Sequence, residues 1–256
     1  MNIFKQLYKS LYSPKDIAAY RFQGIGKTIL YIFLLVLVSI VPAAYHLTTF
    51  TNQAIREGME TVENELPPFA IKNGTLNTQS EEPIKIEKER LTIVLDSSGS
   101  VQPTELGSEI HAVGLLEDQF AIVTAGEVQT FPYSLFDGLD ADNGDIVSFL
   151  SSLDSLKGII LTVFIVILYL FSAGITFIKV SLFAILGLLF ASVLNRKLPY
   201  RQSWRITAYS ITLSTIFFTI MEMLNTFIPA SFFLDWVVIA LVLYLSIKEI
   251  PQRRRT

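Results

Sequence analysis

The sequence predicts an α-helical membrane protein with about four transmembrane spans and a small α+β extracytoplasmic domain inserted between spans 1 and 2. Three observations predict it. Apolar residues make up 51% of the 256 and charged residues only 17%, richer in hydrocarbon than a soluble domain usually is. The apolar residues also form long runs. One of these, TILYIFLLVLVSIVPAAYHL (28–47), carries no acid or base over twenty positions, enough at 1.5 Å per residue to cross ~30 Å of hydrocarbon. Finally, the charges segregate: residues 49–156 hold 19 acidic and 5 basic side chains, whereas Lys and Arg crowd the ends of the apolar runs.

That segregation orders the chain. Before the first span, Lys5, Lys9, Lys15, Arg21 and Lys27 stand against one acid, Asp16. The segment NRKLPYRQSWR holds Arg196, Lys197, Arg201 and Arg205 with no acid, and the tail KEIPQRRRT holds Lys248 and three arginines. Because Lys and Arg near span ends mark cytoplasmic loops, these three segments share the cytoplasmic side and residues 49–156 face outward. The reading is thus a cytoplasmic basic amphipathic segment (1–26), span 1 (27–48), an outer domain (49–156) and a transmembrane region (157–256). Both termini are cytoplasmic in a bacterial plasma membrane. A cleaved signal peptide is the alternative for the first run, but the run exceeds ~7–15 residues and starts about 27 residues in.

Within the last region, 157–194 is a long or broken helix, 206–224 and 233–248 form a hairpin around NTFIPASFF, 195–205 is a basic loop and 249–256 a basic tail. The apolar run ending at Leu194 is 37 residues long. Two crossings there would put Arg196 and Lys197 outside, so parity favours one. Lys179 then argues for a break near the inner surface, where a lysine snorkels.

At the N-terminus, Phe4, Leu7, Tyr8, Leu11 and Tyr12 recur at helical spacing on one face, Lys5 and Lys9 lie off that stripe, and Pro14 ends the helix. A short basic amphipathic helix before a span reads as membrane-surface contact at the inner headgroups, with packing on the protein's own cytoplasmic loops as the alternative.

The outer domain contains no cysteine, so it holds together by packing alone. TNQAIREGMETVENEL (51–66) continues as a helix until Pro67-Pro68. FAIKNGTLNT is a hairpin about Asn73-Gly74, because both central residues of a type I′ turn need positive φ. IKIEKERLTIVLD gives one or two strands, ELGSEIHAVGLL a helix carrying His111, and QFAIVTAGEVQTFPY a second hairpin turning at Ala125-Gly126. FDGLDADNGD (136–145) fails the spacing of a helix-loop-helix calcium loop and reads as a cap for the helix DIVSFLSSLDSL.

One stretch raises a question of chemistry. In LTIVLDSSGS (91–100), Asp96, Ser98 and Ser100 have the D-x-S-x-S spacing of a metal-ion-dependent adhesion site, whose hard oxygen ligands suit Mg or Mn. Against it, only some 55 residues follow before the next span, too few for the doubly wound sheet that completes such a site. Asp followed by Ser and Gly is also an ordinary strand-to-turn junction. No other cofactor is expected.

Enzymatic signatures such as G-x-S-x-G, H-E-x-x-H, a P-loop or G-x-G-x-x-G are absent from the sequence, and neither His46 nor His111 has a visible partner. The expectation is a non-enzymatic protein. Glu222 and Asp235 are the acids at membrane level, candidates for a transporter or channel site, although both stand near the outer surface, where a solvated role is the nearer reading.

FKQLYKSLYSPKDIAAYRFQGIGKTILYIFLL, the strand into VLDSSG and the basic loop into SWRITAYSITLSTIF resemble the Gram-positive membrane family numbered 1189 among domains of unknown function. The resemblance covers nearly the whole chain. Some members carry a maltodextrin-utilisation label, so the resemblance implies a plasma-membrane protein accompanying sugar import, with the Asp-Ser-Gly segment a trait of its outer domain. It supplies no catalytic residues. The expected partners are the lipid bilayer and either sugar-import components or another membrane protein, and not nucleic acid. The expected role is accessory or regulatory, with a metal-dependent adhesion or sensing module as the alternative and a small transporter or channel as the third reading.

Overall fold

The computed structural model describes residues 2–89, 91–135 and 140–252. The chain forms two compact units, Met1–His46 with Thr162–Thr256, and Leu47–Leu161. Of the basic tail, residues 253–256 lie outside the described residues, as do residues 136–139 of the acidic segment.

The first unit is helical: α1 (Ile3–Ser10), α2 (Pro14–Ala19), a 3₁₀ turn (Tyr20–Phe22), α3 (Ile25–Ser39), the start of α4 (Val41–Asn64), most of α5 (Asn143–Val193), α6 (Tyr200–Ser210), α7 (Thr212–Met223) and α8 (Ser231–Lys248). Among the described residues, four helical stretches are long and apolar enough to cross a membrane: Ile25–Asn64, Asn143–Val193, Tyr200–Met223 and Ser231–Lys248. The first is interrupted between Ser39 and Val41, just ahead of Pro42, which has no N–H to give and crowds the preceding turn. The third begins at Tyr200, inside the segment expected to be a basic loop, because Pro199 supplies its N-terminal boundary.

Two expectations are corrected. Pro14 does not end the first helix; α1 stops at Ser10, and Pro14 opens α2 at its first turn, with Ser13 capping through Asp16 N–H (3.3 Å). Nor does Lys179 mark a break. α5 runs 51 residues without interruption, and Lys179 has an ion-pair partner within the helical unit.

Small residues set the helix packing. Ala173, Ala184, Gly187 and Ala191 are buried along α5, a Cβ on Gly187 would collide with Ser203 Oγ, and that hydroxyl donates to the Ala184 carbonyl at 2.7 Å. Close approach of α6 to α5 therefore depends on a missing side chain. Tyr31, Ile32 and Leu35 of α3 and Ile239, Leu243 and Ile247 of α8 complete the buried cluster.

α1 is amphipathic in the opposite sense to a helix on a soluble protein. Its buried side chains are polar, Gln6 and Ser10, and the Tyr209 hydroxyl donates to Gln6 Oε1 at 3.2 Å. Phe4, Tyr8 and Tyr12 are 65%, 63% and 61% exposed, while Leu7 packs against the helical core and Leu11 is half-buried. The predicted stripe is thus split between two directions. Lys5 is exposed, and Lys9 pairs with Asp16 at 2.6 Å.

The second unit is α+β. The end of α4 and the start of α5 accompany two sheets, one of order β2-β1-β8 and one of order β3-β4-β5-β6-β7, built from β1 (Phe69–Lys72), β2 (Thr75–Thr78), β3 (Ile84–Glu87), β4 (Thr92–Leu95), β5 (His111–Leu115), β6 (Gln119–Thr124), β7 (Glu127–Pro132) and β8 (Ala141–Asp142). Both hairpins turn where expected, with φ of 51° and 77° at Asn73-Gly74 and 52° and 79° at Ala125-Gly126.

The segment 105–116 is corrected from helix to a 3₁₀ turn (Pro103–Ser108) followed by β5, which pairs parallel with β4 and antiparallel with β6. Gly114 forces the point. A Cβ there would run into Leu106, and the buried Ala112 and Gly114 alternate as a strand requires. Both faces of the larger sheet are covered. Ile93, Leu95, Val113 and Phe120 pack toward Val62, Phe69 and Tyr133, while Val94, Ala112 and Val123 pack on Leu106. β4 is therefore buried along its whole length.

Candidate functional site

Among the described residues, three places carry convergent polar groups. The first is the mouth of β4. Asp96 is 1% exposed, its N–H donates to the Leu115 carbonyl (2.8 Å), and its carboxylate is enclosed by the turn that follows. Oδ1 accepts from Ser98 N–H (2.9 Å) and Ser98 Oγ (2.6 Å); Oδ2 accepts from Val101 N–H (2.7 Å) and Ser100 Oγ (3.4 Å). Burial opposes ionisation of this carboxyl, but the hydrogen bonds from Ser98, Val101 and Ser100 outweigh it and hold the pKa below the ordinary aspartate value. Gly99 sits at φ 72°, and a Cβ there would collide with Glu117 Oε2.

Sequence spacing thus brings Asp96, Ser98 and Ser100 together, with the two hydroxyls 2.9 Å apart. The lone pairs a divalent ion would use are engaged by the loop's own donors. Among the described residues no cluster of three or more His, Cys, Asp or Glu side chains has the geometry of a metal site.

The second place is an open cleft of about 1040 Å³ in the α+β unit. Val62, Leu66, Phe69 and Val147 give it apolar lining and Asn77 and Asn143 polar lining. Asn143 is the hub. Its Oδ1 accepts from Phe69 N–H (2.8 Å), and its Nδ2 donates to the carbonyls of Val62 and Pro67 (both 3.3 Å). Beside it, Asp142 and Asp145 cap each other's N–H groups reciprocally at 3.1 Å, so the acidic segment does open the helix as its charge pattern predicts. The cleft does not include Asp96, Ser98 or Ser100.

The third lies among the long apolar helices. Lys179 Nζ of α5 donates to Asp235 Oδ2 of α8 at 2.9 Å, and Ser214 Oγ of α7 donates to Asp235 Oδ1 at 2.5 Å. Lys179 stands fourteen residues before the end of α5 and Asp235 thirteen before the end of α8. At 1.5 Å per residue each is about 20 Å along its helix, so the two charges meet at the same level. Arg196 Nη2, just after α5, donates to the carbonyl of Lys248, the last residue of α8 (3.0 Å).

Asp235 is therefore engaged by a cation and a hydroxyl. Glu222 is exposed, and it is its backbone carbonyl that accepts from His46 Nε2 (3.1 Å). His111 lies on β5 with its ring 4.7 Å from that of Phe50. Neither Ser214 nor Asn143 stood out in the sequence, although one lysine and one aspartate isolated in apolar helices are themselves a signal that they pair.

No curated protein and no solved structure matches the chain. The model of the family described as "Protein of unknown function (DUF1189)" matches residues 4–247, and the chain belongs to that family.

Proposed function

We propose that the chain is a non-enzymatic accessory or regulatory protein of a bacterial plasma membrane. Both termini are cytoplasmic, residues 49–156 lie outside, and the outer domain binds a protein partner. The observation that carries this reading is the cleft beside Asn143. It offers apolar lining among polar groups, the composition of a recognition surface. The Lys179–Asp235 pair supports it from the membrane side. A salt bridge closed on itself neutralises the charges a transport path would use, and it serves instead to fix α5, α7 and α8 to one another.

The partner class we propose is a sugar-import component, in line with the maltodextrin label carried by some members of the family. The test is affinity purification of the tagged full-length protein in mild detergent, from cells grown with and without maltodextrin. Stoichiometric recovery of import subunits, lost in Asn77→Arg at the cleft, is the expected result. Recovery of the chain alone under both conditions would overturn it.

One observation favours a second reading, a divalent-metal-dependent adhesion or sensing module: Asp96, Ser98 and Ser100 converge, and the Asp96 carboxyl is held ionised. It predicts that millimolar magnesium or manganese raises the unfolding temperature of the full-length protein and that Asp96→Ala abolishes the gain.

A further inference from the structure

The 3₁₀ turn Tyr20–Phe22 and helix α6 bring two arginines together. Arg205 Nη1 donates to the Arg21 carbonyl at 3.0 Å, so the second guanidinium lies against the backbone that carries the first. Arg21 Nη1 donates to the Ala18 carbonyl (2.6 Å), and its guanidinium sits 4.2 Å over the Phe22 ring. Among the described residues neither arginine has a carboxylate within salt-bridge distance, although Lys9, Lys85, Lys88, Lys157 and Lys179 all do. Arg205 Nε is buried with no hydrogen-bond partner. Burial lowers the Arg21 guanidinium below its ordinary value, with no neighbouring acid to offset the loss. Two guanidinium groups without a carboxylate partner, one of them bonded to the backbone that carries the other, favour an anion supplied from outside.

The surroundings say what kind of anion. Phe22 is 69% exposed and Ile25 44%, immediately before α3 enters its long apolar stretch, and Lys27 in its first turn is also exposed. Unpaired guanidinium groups beside outward-facing apolar side chains at the start of an apolar helix match an amphiphile, charged at one end and hydrocarbon at the other. A free phosphate would leave Phe22 and Ile25 without a partner.

We propose that Arg21 and Arg205 bind the phosphate of an anionic phospholipid, with Phe22 and Ile25 entering the apolar layer beside it. Assigning that lipid to the cytoplasmic leaflet rests on the orientation given above. The two arginines belong to segments nearly two hundred residues apart, so the bound headgroup clamps the N-terminal segment to α6.

The experiment places the full-length protein in nanodiscs of phosphatidylcholine mixed with phosphatidylglycerol and identifies by native mass spectrometry the lipids it retains on release. Wild type is expected to retain phosphatidylglycerol in preference to phosphatidylcholine. Each arginine removed in Arg21→Gln and Arg205→Gln should weaken that preference about fivefold, from the attraction of one basic residue for an anionic surface. The variant Arg21→Lys with Arg205→Lys should keep most of it. Arg21→Gln alone serves if Arg205→Gln fails to fold, since the Arg21 side chain bonds only within its own turn. Equal retention of the two lipids by wild type, or undiminished preference in folded Arg21→Gln, overturns the proposal. Orientation is read separately: the chain has no cysteine, so Lys5→Cys should resist a membrane-impermeant maleimide in whole cells. Labelling there would refute the cytoplasmic assignment while leaving the lipid preference, measured in two-sided nanodiscs, intact.

Discussion

Replacing Asp96 by alanine should strongly destabilise the α+β unit. The carboxylate is buried and receives two backbone N–H groups, from Ser98 and Val101, as well as two hydroxyls. A hydrogen bond to a charged group contributes about 1.5–3 kcal/mol, and truncation strands both N–H donors, so the expected cost is about 3–6 kcal/mol. For a unit of this size that lowers its melting temperature by at least about 12 °C. Asp96→Asn should recover little, because its amide points hydrogens at two of the four donors. The assay is hydrogen exchange with mass spectrometry on the full-length protein in detergent, reading the β4 and β5 amides against those of α3 and α7 as an internal control.

The same carboxyl predicts a pH dependence. Its folded pKa is depressed, so its contribution is fully present above the unfolded aspartate value near ~4 and is lost as pH falls through the folded value. Acid should therefore loosen β4 and β5, and Asp96→Ala should remove that part of the response. A variant whose β4 and β5 amides keep wild-type protection would refute the role assigned to this turn.

Asp235→Ala leaves Lys179 uncompensated among apolar helices and should cost about 3–5 kcal/mol, whereas exchanging the two charges, Lys179→Asp with Asp235→Lys, should restore most of it; thermal unfolding in detergent decides, and an exchange no more stable than either single variant would sink the pairing. Gly187→Ala should cost about 1–3 kcal/mol through its clash with Ser203, and Ser203→Ala should relieve part of that cost in the same background, a coupling readable in a double-mutant cycle. Gly99→Ala should cost about 1–2 kcal/mol that Glu117→Ala cannot recover, because the flexible Glu117 can swing aside but the left-handed backbone remains; full recovery in the double variant would show that crowding alone was at issue.

Local rules made the two hairpins and one helix start legible. Asn73-Gly74 and Ala125-Gly126 announce positive φ, and Asp142 with Asp145 announces a helix start. What escaped the sequence depends on distant partners. His111–Leu115 offers helical spacing as readily as alternation, and only the parallel neighbour β4 and the lack of room at Gly114 select the strand. Lys179 suggested a helix break because its counter-charge lies 56 residues further on. The N-terminal stripe was visible as a stripe, but its division between Leu7 inward and Phe4, Tyr8 and Tyr12 outward follows from where Tyr209 receives Gln6. Among the candidate sites, the convergence at Asp96 follows from spacing alone. The cleft assembles from the ends of α4 and α5 with β1 and β2, and no single motif encodes it.

The division of the chain bears on the order in which it assembles. Among the described residues, every strand pairing of the α+β unit closes within residues 69–142, so that unit can form as soon as its own stretch has been synthesised. The helical unit cannot: the Tyr31–Thr212 hydroxyl contact spans 181 residues and the Tyr209–Gln6 bond 203. At about 5–20 residues per second, the N-terminal helices wait on the order of ten seconds or more for the residues that bury Gln6 and Ser10. During that interval Gln6 lacks the Tyr209 hydroxyl, and the Lys9–Asp16 ion pair within the N-terminal segment is among the contacts already available to hold α1.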